Sequence, residues 1–237
     1  MTSTKTILVL ANSIKHYPCT CIAGREIRSG KTNYTIEPWV RPVSSHDEGG
    51  ISLGEAKLNN GHQPKVGDFV EIPFSNSTND RLQPENWLIA PNGKWQLVNP
   101  SYQKPDLSLL VESPRNLWLQ PNEETDRVTA RWLQRNPPSQ SLYLIHLPAI
   151  RVRLGWKEWQ GQYKARRRVL FTYGGVDYDM GLTDPAFLEK YRTQYPAKGE
   201  RANEFEVTSR GGCYLCVSLA PEFNGSHYKV VATIIEA

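Results

Sequence analysis

A two-residue glycine turn between two alternating runs constrains the fold of this chain most tightly. Gly174-Gly175 separates residues 163–173 from residues 176–182. In the second run Val176, Tyr178, Met180 and Leu182 alternate with Asp177, Asp179 and Gly181. A period of two on either side of a glycine pair predicts a β-hairpin with one buried face. Upstream, residues 142–156 read as a long extended segment. Downstream, Asp184-Pro185 predicts a helix start, with aspartate as the cap and proline at the first helical position. Phe187, Leu188 and Tyr191 follow at helical spacing. Residues 213–219 and 228–235 predict two more strands around an Asn224-Gly225 turn. Three strands, a helix and two strands is the layout of the OB fold, a five-stranded barrel.

The first half is less regular. Residues 6–11 predict a buried strand. Trp39-Val40-Arg41-Pro42-Val43 predicts a second, with Trp39, Arg41 and Val43 on one face. Residues 69–74 predict a third, after Val66-Gly67-Asp68. Between the first two lies a polar stretch with Cys19-Thr20-Cys21 as a turn. Residues 53–59 have room for a helical turn or two, and residues 85–89 and 94–98 read as short extended pieces. Residues 105–112 and 125–134 predict short helices, the latter with Val128 and Trp132 four apart on one face. Asn136-Pro137-Pro138-Ser139 ends that pattern and divides the chain into 1–138 and 139–237. Two domains suit 237 residues, each able to bury a core without disulfide staples.

No run approaches the ~18 apolar residues of a membrane helix, and no signal peptide is legible. Four cysteines suit a reducing compartment. The expectation is a cytoplasmic protein with no membrane partner.

Catalytic patterns are missing. There is no glycine-rich phosphate loop, H-E-x-x-H, G-x-S-x-G or deaminase-type H-x-E with C-x-x-C. His16, His46, His62, His146 and His227 show no metal-ligand spacing. Cys19-x-Cys21 and Cys213-x-x-Cys216 formally offer four thiols. However, C-x-C is an unusual half-site, and residues three apart on a strand point to opposite faces. Asp177 and Asp179 stand beside arginines, where salt-bridging explains them better than a metal does. The expectation is a binding protein without catalytic residues, metal or cofactor; a metal-dependent nuclease at Asp177 and Asp179 is the enzymatic alternative.

Charge is strongly segregated. Residues 151–168 hold seven basic residues and one acid, Glu158, a local charge of +6; the whole chain carries +4, so the remainder carries −2. With Ile150, Val152 and Leu154 facing the core, Arg151 and Arg153 face outward. Ala165, Val169, Phe171 and Tyr173 take the inward phase on the next strand, leaving Lys164, Arg166 and Arg168 outward. The expected hairpin pairs Arg153 with Arg166 and Arg151 with Arg168. Like charges across a strand pair destabilise it, so an anion should compensate. One candidate is internal: Asp179 falls opposite Leu170 and diagonal to Arg168. The other is a phosphate backbone, because OB barrels bind oligonucleotides on strands two and three and on the loops joining strands one–two and four–five. Residues 155–163 would form the first loop, with Trp156, Lys157, Trp159 and Tyr163. Residues 220–226 would form the second, with Phe223. Trp156 continues the strand and reads as packing. Aromatic groups beside cations suit single strands.

Several sequence blocks resemble a known family. They are Ile7-Leu8-Val9-Leu10-Ala11-Asn12-Ser13 with Lys15, Cys21-Ile22-Ala23-Gly24, Trp39-Val40-Arg41-Pro42-Val43-Ser44, Asp68-Phe69-Val70-Glu71-Ile72-Pro73, Glu85-Asn86-Trp87, Cys213-Tyr214-Leu215-x-Val217-Ser218-Leu219, and Phe223-Asn224-Gly225 with Tyr228-Lys229. In this order they resemble the bacterial dual OB-containing domain proteins. The resemblance implies two OB-like five-stranded β-barrels in tandem, in a mainly β chain with a few short helices. It also implies nucleic-acid or nucleotide binding, often in bacterial defence systems, and supplies no catalytic residues.

Two functional readings follow. The first is binding of nucleic acid, as single-stranded DNA or RNA, through Arg151, Arg153, Lys157, Trp159, Tyr163, Lys164, Arg166, Arg168 and Phe223. The second is a nucleotide-sensing or protein-interaction module with Asn12, Lys15, Arg41 and Asn86 lining a pocket in or between the barrels, the protein partner coming from the same system. A structural hydrogen-bond network competes with that pocket, because buried polar groups must be paired.

Overall fold

The structure is a computed structural model that describes residues 2–16, 18–29, 34–46, 49–99 and 104–237, without the side chains of residues 15, 16 and 29. Its strands are β1 (Ser3–His16), β2 (Cys19–Ser29), β3 (Tyr34–Val43), β4 (Ile51–Ser52), β5 (Phe69–Ser77), β6 (Asn86–Ile89), β7 (Gln96–Val98), β8 (Arg127–Thr129), β9 (Leu142–Trp159), β10 (Gln162–Tyr173), β11 (Val176–Leu182), β12 (Asn203–Phe223) and β13 (Ser226–Glu236). Two short helices, α1 (Ala130–Arg135) and α2 (Pro185–Lys190), complete the set.

Two compact units emerge. One comprises Met1–Leu110 with Pro138–Leu142, and the other Val111–Pro137 with Tyr143–Ala237. The boundary expected at 138 therefore meets an interleaved chain: residues 111–137 pack with the second unit, and residues 138–142 return to the first.

Both units close into five-stranded OB barrels. In the first, β1-β2-β3-β6-β5 forms a path that β1–β5 pairing closes. In the second, β11-β10-β9-β12-β13 is closed by β11–β13. Each barrel has one parallel contact between its third and fifth strands, β3–β6 and β11–β13. The remaining short strands are additions: β4 pairs with β2, β7 with β5, and β8 with β13.

The first core is built from Ile7, Val9, Ile22, Val40, Val70, Ile72 and Phe74, closed by Trp95. The residues of opposite phase, Leu8, Leu10, Ala23 and Trp39, are buried as well, so β1 is apolar on both faces. That is why residues 6–11 read as a continuous apolar run. Strand β2 escaped the sequence reading because its run Gly24-Arg25-Glu26 breaks any alternation. Gly24 sits where a Cβ would collide with the Leu8 carbonyl oxygen, beside register shifts in both of its ladders. Residues 53–59 form turns rather than a helix.

In the second barrel the alternation behaves as expected within the core, whereas Ala165, expected inward, is exposed because the hairpin has left the barrel there. Ile150, Val152, Leu154, Val169, Phe171, Tyr178, Met180 and Leu182 are all buried. Asp184 caps α2 by accepting the Phe187 amide at 3.0 Å. The helix predicted over 125–134 starts only at Ala130. Residues 127–129 instead pair as β8 with β13, with Val128 opposite His227, and Thr129 caps α1 by accepting the Trp132 amide at 3.3 Å. Residues 105–112 yield a single short turn of 3-10 helix at Leu107–Leu110. Among the described residues no helix is long and apolar enough to cross a membrane.

Candidate nucleic-acid interface

The basic residues lie on the β9–β10 hairpin, which is longer than the sequence suggested. Residues 155–163 are not a loop. β9 runs on to Trp159, β10 starts at Gln162, and Gln160-Gly161 alone makes the turn. Both turn residues have positive φ, 50° and 73°, which matches the right-handed twist of a hairpin. The apolar phase stops at Leu154, but the ladder continues through Gln162↔Trp159. All residues from 157 to 166 are exposed. The hairpin therefore extends past the core as a two-stranded ribbon with both faces in solvent.

Its register differs by two residues from the expected one. Arg153 faces Arg168, Arg151 faces Leu170, and Arg166 faces Gly155. The strand ends at a two-residue turn rather than a nine-residue loop, and this shifts every pair. On one face the sequence of pairs from turn to barrel is Trp159/Gln162, Lys157/Lys164, Gly155/Arg166, Arg153/Arg168 and Arg151/Leu170. Tyr163, opposite Glu158, and Trp156, opposite Ala165, occupy the reverse face. Trp159 and Tyr163 thus do not form one platform. Trp156 is a packing residue, as its strand position predicts: its indole donates to the Pro196 carbonyl at 2.8 Å and packs against Tyr195 with the rings tilted at 44°.

The face divides electrostatically. Near the barrel the arginines are already neutralised. Glu204 on β12 accepts from Arg151 at 2.7 Å and from the Arg153 Nε at 2.8 Å. The hydrogen bond from Arg153 is the main reason its carboxyl lies below the usual carboxylate range. Asp179, opposite Leu170 as the sequence register required, bonds Arg168 at 2.5 Å and approaches Arg153 at 3.5 Å. Asp126 holds Arg168 from the other side at 2.8 Å. Burial disfavours the Arg168 charge, yet its bonds to Asp179 and Asp126 outweigh this and keep its pKa raised. Beyond Gly155 the pattern changes: among the described residues Lys157, Lys164 and Arg166 make no ion pair. Trp159 is 55% exposed, with the Lys157 ammonium 6.0 Å from its ring centroid.

At the barrel end the same face becomes acidic. A groove of about 530 Å³ is lined by Arg151, Leu170, Thr172, Asp177, Asp179 and Glu206, among others. Asp177 accepts from the Thr172 hydroxyl at 2.5 Å. Phe223 lies away from the cationic ribbon. Val230 pairs with Gly181, and Gly181 with Arg168. From there the β12–β13 turn runs parallel to the start of β11, towards the β10–β11 turn. Phe223 is exposed at that tip, at the end of the ladder opposite Trp159.

The second set of sequence candidates is mostly hydrogen-bonded. Arg41 and Asn86 are neighbours in the β3–β6 ladder, and both are buried. Arg41 donates to the Asn86 Oδ1 at 3.2 Å and to the Ser141 Oγ at 3.0 Å. Asn86 donates to Gln83 at 3.0 Å. The Ser141 hydroxyl donates to Glu85 at 2.9 Å, and the Ser141 amide bonds the same carboxylate. Asn12 donates to the Pro64 carbonyl at 2.8 Å and accepts from Thr20 at 2.7 Å. The Lys15 side chain lies outside the described residues. Three of the four are thus engaged in hydrogen bonds within the first barrel.

One charged residue escaped sequence reading. Lys229, on β13 opposite Leu219, is 1% exposed. Its ammonium donates to the Thr125 carbonyl at 3.0 Å and lies 5.9 Å from the Tyr178 ring. Burial pushes its pKa down to about 8, partly opposed by Asp126. The signal was its phase, shared with the apolar Val231.

Each cysteine pair belongs to a different barrel. Among the described residues no three His, Cys, Asp or Glu side chains gather to hold a metal.

A search of curated proteins found no match. A family model for the dual OB-containing domain, in contrast, matches residues 5–234, nearly the whole length over which the two closed barrels were traced. With the barrel topology and the sequence blocks in agreement, the chain belongs to the dual OB-containing domain family.

Proposed function

We propose that this protein is a nucleic-acid-binding module that takes single strands on the distal half of the β9–β10 ribbon. One observation carries the reading: Lys157, Lys164 and Arg166 share an exposed face with Trp159 and have no acidic partner among the described residues. Two lysines directly opposite each other repel, and a phosphate backbone relieves that repulsion. An exposed indole beside them offers a stacking surface worth about 1–3 kcal/mol per base. Two OB barrels are compatible with this role. Tyr163 on the reverse face and Phe223 at the far turn stand apart from this set. The reading is of a binder rather than a catalyst. Its bacterial, defence-associated setting rests on the family resemblance alone.

The test is fluorescence anisotropy of labelled oligo(dT) and oligo(U) against the full chain across a salt series. Binding at low salt is expected, weakened by Lys157→Ala/Lys164→Ala/Arg166→Ala and by Trp159→Ala. Absence of binding at low salt, or full affinity in the triple variant, would refute it. Divalent-metal-dependent cleavage of the oligonucleotide would replace it with the nuclease reading.

A further inference from the structure

Glu204 bridges two arginines of the hairpin. Its two oxygens engage Arg151 at 2.7 Å and Arg153 at 2.8 Å, the charge-assisted geometry in which guanidinium groups recognise phosphate oxygens. Arg168 is likewise held between Asp179 and Asp126. These acids come from three different segments, and all converge on the arginines nearest the barrel. None reaches the three cations beyond Gly155, where Ala202 crosses the strand so closely that a Cβ on residue 155 would stand 2.8 Å from its own Cβ. The hairpin thus carries one cationic surface in two states: a proximal half occupied by the protein's own carboxylates and a distal half left open.

We propose that Glu204 is a built-in phosphate mimic that ends the nucleic-acid footprint at Gly155, restricting the bound strand to the three cations Lys157, Lys164 and Arg166. This rests on the ribbon reading of the preceding subsection. The acidic groove at Asp177 and Asp179 reinforces the limit, because a strand extended past the arginines would meet both carboxylates.

The salt dependence of binding measures the footprint directly. For single strands the slope of log K against log salt is about −0.7 per phosphate neutralised, so three cations give about −2. Glu204→Gln keeps the side-chain shape, releases Arg151, and leaves Arg153 with Asp179 at 3.5 Å as its remaining acid. The slope should then steepen by roughly 0.7–1.4, with tighter binding at low salt. Glu206→Gln is the control: it removes the same charge from the same strand, but among the described residues Glu206 holds no arginine. It should leave the slope unchanged, as should Arg153→Ala in the otherwise unaltered protein. Folding of each variant is checked by its thermal transition. Oligo(dT) is the probe throughout. An unchanged slope in Glu204→Gln, an equal steepening in Glu206→Gln, or a flatter slope in Arg153→Ala would overturn the inference while leaving ribbon binding intact. Failure of the unaltered protein to bind at low salt would overturn both.

Discussion

Lys229 offers a stability experiment whose sign and size follow from its surroundings. Its ammonium is almost wholly enclosed, with one carbonyl partner and the face of Tyr178, and its pKa falls from 10.5 to about 8. Between these two values the unfolded chain holds a proton that the native chain has lost. Stability therefore rises with pH across that window, the reverse of a lysine that gains a salt bridge on folding. At 1.36 kcal/mol per pKa unit, keeping the buried ammonium charged at pH 7 costs about 3 kcal/mol. Roughly 2–3 kcal/mol of that should be regained by about pH 10.

The assay is urea unfolding of the unaltered protein and of Lys229→Met, from pH 7 to about 10. Methionine preserves length and apolar bulk without the charge. At pH 7 the variant loses the desolvation penalty but leaves the Thr125 carbonyl without its donor, at about 1–3 kcal/mol, so the two proteins should differ little there. As pH rises the unaltered protein should gain on the variant by roughly 2–3 kcal/mol. Tyr173, Tyr178, Tyr191 and Cys213 have raised pKa values owing to burial; as neutral acids they oppose this trend, and they do so in both proteins. The difference profile isolates Lys229. Parallel profiles, with a constant gap from pH 7 to 10, would refute the account of a buried charged lysine.

Two further outcomes follow. Asp184 is buried and accepts the Phe187 amide at 3.0 Å and the Ile234 amide at 2.9 Å, so Asp184→Ala removes a helix cap and orphans a strand amide together. A loss of about 2–4 kcal/mol in urea unfolding is expected, and a loss under 1 kcal/mol would contradict the double role. Gly24→Ala places a methyl group against the Leu8 backbone, and backbone cannot swing aside as a side chain can. Loss of the cooperative thermal transition, or a large fall in its midpoint, is expected, and wild-type melting would refute the close approach of β1 and β2.

The second barrel was the more legible in sequence because its strands are buried on one face. Val176 to Leu182 alternates since the outer residues meet solvent and polar partners, Asp177 the Thr172 hydroxyl and Asp179 the arginines. The position of Asp179 against Leu170 followed from a two-residue turn alone, because such a turn fixes register. In the first barrel both faces of β1 are buried and β2 has Gly24 beside register shifts in both of its ladders, so neither strand shows a clean period. The hairpin tip misled for a related reason. Once strands leave the core, nothing apolar marks their continuation, and Trp159 and Tyr163 read as loop residues although a ladder places them on opposite faces.

The sequence alone determined that a basic segment exists, which strands carry it, and that Arg151, Arg153 and Arg168 face away from the core. These are local properties of composition and period. Which of those charges remain open was decided by tertiary structure. Glu204 and Asp126 lie far from the hairpin in sequence, and only closure of the barrel and docking of residues 111–137 bring their carboxylates within hydrogen-bond range. Ion pairing acts over a few ångströms through space, so no pattern along the chain records it.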